Sequence, residues 1–131
     1  MINSAGEFQR LRTSEDLEEQ RRATWEPAEH SVWIEIIERF PDLRAWVAHN
    51  KTVPLSVLRA LAADSDAMVR AEVARRRKLD RELFELPAQD PDPGVRCSVA
   101  SNRKAPADII TKLASDPEAF VAKTATERTG R

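Results

Sequence analysis

The chain has 131 residues, 41% apolar and 33% charged, with a formal net charge of −1. That composition suits one charged domain with a real core and excludes collagenous and low-complexity classes. No apolar run nears the roughly 20 residues needed to span a bilayer, the N-terminus lacks the apolar core of a secretory signal, and the lone Cys97 cannot form an internal disulfide, so a reducing cytoplasm and no membrane partner are expected.

Residues 1–42 carry five Lys/Arg against ten Asp/Glu, a balance of −5, and residues 43–131 carry sixteen against twelve, a balance of +4. The sequence pattern changes at the same place, so the two parts differ in construction. In the acidic part, Ser4…Glu7 and Thr13…Asp16 have capping-box spacing and predict two helix starts. "SVWIEIIERFPDL" then supplies Trp33, Ile34 and Ile37 as the apolar face of a further helix.

From Leu43 onward the sequence repeats. "LRAWVAHNK", "VRAEVARRR", "VRCSVASNR" and "VAKTATERT" start at Leu43, Val69, Val95 and Val121, each 26 residues after the last. Val47, Val73, Val99 and Ala125 follow four residues later in each copy, on the same helix face. A second helix-length stretch repeats with them: Val57-Leu58, Leu83-Phe84 and Ile109-Ile110, then Leu61 and Leu113, with Pro87 as the exception. Each unit is thus a pair of short helices, in one unit predicted at about 80–88 and 93–102, with Asp92 as cap and Pro93 in the first turn. Helices this short are unstable alone, so stacked pairs must share a core. Residues 1–42 then serve as a degenerate helical N-terminal cap, 43–128 as three full repeats and a partial terminal one, and 129–131 as a tail, all in one domain. The polar end "TATERTGR" is expected to fray.

The unit "D.D..VR..VA.....P..VL..LA" resembles the leucine-rich repeat variant family and, more loosely, the HEAT repeats. Val69-Arg70, Val73-Ala74, Pro54, Leu58, Leu61-Ala62 and Asp64 carry the likeness, with their copies. The resemblance implies an all-α fold: a curved, right-handed solenoid of short helix pairs, used for binding and not for catalysis. Ala122 replaces the arginine of the last unit, which suggests that the array ends there.

Asp64 precedes Arg70, Asp90 precedes Arg96 and Glu38 precedes Arg44, always by six residues. This is similar to the Asp–Arg ladder of HEAT-type repeats, in which the aspartate caps a helix and accepts from an arginine of its own or the next unit. The run "RRRK" has two readings. Arg77 and Lys78 are copied as Lys51 at the first position and as Arg103 and Lys104, a basic stripe at helix ends that either offsets the helix dipole or follows a phosphate backbone. Arg75 and Arg76 exceed the repeat, whose other copies there are His49-Asn50 and Ser101-Asn102. Trp46 is out of pattern too, beside Glu72 and Ser98 as copies. It is either an exposed anchor or covered by the cap through Trp25 or Trp33.

Neither histidine, His30 or His49, sits in a metal-spaced pair, and three glycines at 6, 94 and 130 make no phosphate loop. Cys97 lies between core positions Val95 and Val99 and reads as a packing residue. No enzyme and no cofactor is therefore expected. The expected function is a binding scaffold that recognises another protein, of which a toxin or a regulatory protein would be examples, through the exposed face of its second-helix row. The candidate patch is Trp46, His49, Asn50, Glu72, Arg75, Arg76, Ser98, Ser101 and Asn102. The alternative is nucleic-acid backbone binding along the stripe.

Overall fold

The structure, a computed structural model, describes residues 1–129. Among them it is all-helical, with ten α-helices, one short 3₁₀ helix and no strand. No helix among the described residues is long and apolar enough to cross a membrane. The chain divides into two compact units, Met1–Leu61 and Ala62–Arg131.

The first unit contains α1 (Ala5–Thr13), α2 (Leu17–Trp25), α3 (His30–Arg39), a 3₁₀ turn (Pro41–Leu43), α4 (Arg44–His49) and nearly all of α5 (Leu55–Ala62). Ser4 starts α1 as expected: its Oγ accepts from the Glu7 N–H, and Glu7 reaches back to the N–H of Asn3. The second box is different. Thr13 is the last residue of α1, its hydroxyl bonded to the Gln9 carbonyl, and Asp16 itself caps α2. On α3 the deepest side chains are Trp33 and Ile36, three residues apart, while Ile34 and Ile37 are half-buried. Phe8 of α1 meets Trp33 edge-to-face at 5.7 Å, joining α1 to α3 in an aromatic core.

The second unit contains α6 (Ala67–Ala74), α7 (Arg81–Ala88), α8 (Pro93–Ser101), α9 (Ala107–Leu113) and α10 (Ala119–Thr129). Here α8 packs against α6 on one side and α10 on the other, while α7 and α9 pack against each other and against this row. Phe84, Val99, Ala100, Ile109, Ile110, Leu113, Val121 and Ala125 form one buried cluster. Asp92 caps α8 by accepting from the Gly94 N–H at 2.7 Å, with Pro93 in the first turn. Thr124–Thr129 belongs to α10 and is helical; Gly130 and Arg131, the rest of the stretch expected to fray, lie outside the described residues.

Candidate functional site

The repeated polar residues turn inward. Arg70 donates through Nε and Nη2 to the Asp90 carboxylate at 2.8 and 3.1 Å, and through Nη1 to the Asp64 carbonyl at 2.8 Å. Arg96 does the same to the Asp116 carboxylate at 2.8 and 3.1 Å and to the Asp90 carbonyl at 2.7 Å. Both forks are largely buried. Burial pushes the Asp90 carboxyl up, but Arg70 and the Asp92 N–H outweigh it and hold the group below its ordinary value. Bonding to Arg96 lowers Asp116 likewise. The expected ladder needs one correction. The aspartate six residues before each arginine gives it only a carbonyl, and the carboxylate that receives it lies 20 residues later. The capping falls to Asp66 and Asp92, whose N–H groups bond to Asp64 and Asp90.

Three members of the candidate patch are not on an exposed face. Asn50 is 0% exposed and Asn102 6%. Asn50 Nδ2 donates to the carbonyls of Ala23 and Glu26, and its Oδ1 accepts from the Thr52 N–H at 2.8 Å. Asn102 Nδ2 donates to the carbonyls of Ala74 and Arg76 at 2.8 and 2.7 Å, and its Oδ1 accepts from the Lys104 N–H. Each asparagine therefore satisfies carbonyls left over at the end of an earlier helix, which helix geometry leaves without partners. Both have extended backbones, unlike the left-handed conformation of an asparagine at a helix end. Ser98 is buried as well, its hydroxyl turned back to the Gly94 carbonyl. Sequence reasoning missed Arg128, which stands 26 residues after Asn102 and plays the same part with a guanidinium. Its Nη1 donates to the carbonyls of Ala100 and Asn102 at 3.0 and 2.8 Å. The signal was in the column Asn50, Arg76, Asn102, Arg128, where the two residue types share an ability to donate to carbonyls.

The rest of the patch is partly accessible. Glu72 of α6 pairs at 2.8 Å with Arg75, the exposed residue just after the helix. Arg75 also borders a shallow groove of about 160 Å³ between α6 and α8, beside the exposed Met68. Arg76 is half-buried, and burial lowers the pKa of its guanidinium. Ser101 is exposed, its hydroxyl on the Cys97 carbonyl. Lys51, Arg77, Lys78, Arg103 and Lys104 are all exposed. Arg77 and Lys78 follow α6 and Arg103 and Lys104 follow α8, and these four form no ion pair among the described residues.

In the first unit, Trp46 is 41% exposed, and the His49 ring stands edge-on to it at 5.7 Å. Neither tryptophan considered above forms a ring pair with it among the described residues: Trp33 is in the core against Phe8, and Trp25 is exposed. Arg12 of α1 lies over the indole instead, with its guanidinium carbon 3.5 Å from the ring centroid. Nothing in the local sequence marks Arg12, because the contact joins residues far apart in the chain.

Cys97 is half-buried against the core of the second unit, its Sγ 3.7 Å from the Thr124 hydroxyl. The described residues bring together no group of three or more His, Cys, Asp or Glu that would hold a metal ion. Compared with known proteins, the chain matches no family model, no curated protein and no solved structure.

Proposed function

We propose that this chain is a non-catalytic, cytoplasmic binding scaffold, a solenoid of 26-residue helix pairs of the leucine-rich repeat variant or HEAT type, that recognises another protein. The observation that carries this reading is a division of labour among polar side chains. Those that recur at the repeat spacing, Arg70, Arg96, Asp90, Asp116 and Asn102, are buried or half-buried and bonded from one unit to the next. Of those that break the repeat, Trp46 and Arg75 are exposed, whereas Arg76 is half-buried. An exposed aromatic beside polar groups is what binding hot spots are made of. Side chains that recur are explained by the array, whereas exposed ones that depart from it have no such explanation.

The test starts from affinity capture out of native lysate with and without nuclease. The captured partner is then purified and titrated against the wild type, Trp46→Ala and Arg75→Ser. A protein partner that resists nuclease and loses about 1–3 kcal/mol with Trp46→Ala, at unchanged melting temperature, supports the reading. Equal affinity for the wild type and both variants counts against it.

A second reading rests on Arg77, Lys78, Arg103 and Lys104, exposed cations on the turns after two neighbouring helices. Their spacing would suit a phosphate backbone, although a pI near 6.2 runs against it. Capture abolished by nuclease, with a steep log–log dependence on salt, would favour nucleic acid.

A further inference from the structure

Arg12 differs from the other cations of the first unit. Arg10, Arg21, Arg22 and Arg39 each meet a carboxylate. Arg44 donates to the Ile37 carbonyl at 2.8 Å, and Lys51 and Arg59 are also engaged. Arg12 makes no ion pair among the described residues and lies over the Trp46 ring instead. Its Nε is buried without a hydrogen-bond partner, whereas its two Nη groups have no hydrogen-bond or ion-pair partner among the described residues and are not fully buried. Burial lowers its pKa, as expected for a charge with no counter-charge beside it.

Such an arrangement gains little for the fold. A cation on an indole is a modest gain, and a buried donor without an acceptor is a penalty of similar size. The two nearly cancel. What the stack does achieve is orientation. Packing on the indole restricts the guanidinium and leaves its Nη groups without a partner in the fold, so part of the entropy of ordering the fork is already lost before anything binds.

We infer that the Arg12–Trp46 stack is a preformed site for a single carboxylate, carried on an Asp or Glu side chain of the partner protein. The inference rests on the protein-binding reading and names the chemistry of one contact within it. A planar fork matches a carboxylate through two parallel hydrogen bonds. The half-exposed indole adds an apolar wall for the residue next to the acid. A polyanion fits less well, because residues 1–61 carry eight Lys/Arg against ten Asp/Glu, and no second unpaired cation stands in this unit to share a phosphate chain.

The experiment is selection of peptides from a random display library on the full chain, followed by titration of the best synthetic peptides. Binding is compared for each peptide and for its Asp→Asn or Glu→Gln counterpart, against the wild type, Arg12→Gln, Arg12→Lys and Trp46→Ala, all checked for unchanged melting temperature. The expected result is an acidic residue whose amide counterpart binds the wild type about tenfold more weakly. Arg12→Gln should erase that difference, and Arg12→Lys should not restore it, because an ammonium keeps the charge but not the fork. Peptides that need Trp46 but bind equally as acid and amide would overturn the carboxylate site and leave the protein-binding reading standing. If no selected peptide depends on Trp46, both fall for this face.

Discussion

Asn102 connects two helix ends through three hydrogen bonds, two given to the carbonyls of Ala74 and Arg76 and one accepted from the Lys104 N–H. Asn102→Ala would leave the buried Ala74 carbonyl and the partly buried Arg76 carbonyl and Lys104 N–H without this partner, and we expect it to cost about 1–3 kcal/mol. Asn102→Arg should be milder, because Arg128 already makes the two carbonyl bonds from the same repeat position. Urea midpoints of the two variants check this; equal damage from both would show that the Lys104 bond is the one that matters. The arginine forks give a second prediction at this scale. Asp90 and Asp116 are held below their ordinary values in the fold, Asp90 in spite of its burial and Asp116 by Arg96. A carboxylate depressed in the native state contributes stability that is full above its unfolded pKa, about 4, and is lost as pH falls through the lower folded value. Stability should therefore drop as pH is taken from about 5 to below 4, and Asp116→Asn, already lacking this carboxylate, should show a shallower drop over the same range. A parallel slope in the variant would count against the pair as a source of acid sensitivity.

At the scale of elements, α7 carries a proline where its counterparts carry leucine. Pro87 lies inside the helix, buried, at the position of Leu61 and Leu113. It offers no N–H to the Leu83 carbonyl four residues back, and a ring at an interior position costs roughly 3 kcal/mol in the general case. Pro87→Leu should raise stability by about 1–2 kcal/mol, the lower figures reflecting its place in the last turn and the extra volume to be packed. A higher denaturant midpoint at unchanged slope is the expected readout, and a lower midpoint would mean that the local space was fitted to the ring. Element boundaries were legible because their signals are local: Asp92 before Pro93 starts α8, and Ser4 three residues before Glu7 starts α1. Thr13…Asp16 misled because an aspartate caps as well as a threonine, and Asp16 was the nearer of the two to α2. What was not legible is long-range. Asn102 at a helix end suggests solvent or a left-handed turn, and only the fold shows that its amide reaches carbonyls 26 and 28 residues earlier. Arg12 was invisible for the same reason, since a basic residue in an acidic stretch gives no sign that Trp46 lies beneath it.

For the whole molecule, the proposed array makes a claim about length. In a solenoid each unit contacts its neighbours, so stability approximates a sum of units and the interfaces between them. A second copy of residues 78–103 inserted after Arg103 adds one period of 26 residues and keeps every contact in register. Arg96 would then meet the inserted copy of Asp90, 20 residues on, as it now meets Asp116. The inserted copy of Asn102 would reach the carbonyls of Ala100 and the original Asn102, as Arg128 does now. The lengthened chain should keep its helical ellipticity per residue and unfold with a larger denaturant slope, since the slope grows with the surface exposed. Its midpoint should stay equal or rise. Removing six residues, 104–109 of the lengthened chain, from the start of the inserted copy is the control. It leaves a comparable composition but moves the inserted copies of Asp90 and Asn102 out of reach of Arg96 and of the Ala100 and Asn102 carbonyls, so stability should fall by several kcal/mol, as broken buried pairs and unpaired carbonyls require. Equal behaviour of the two insertions would mean that the 26-residue period is a feature of the sequence alone, and the solenoid would have to be given up.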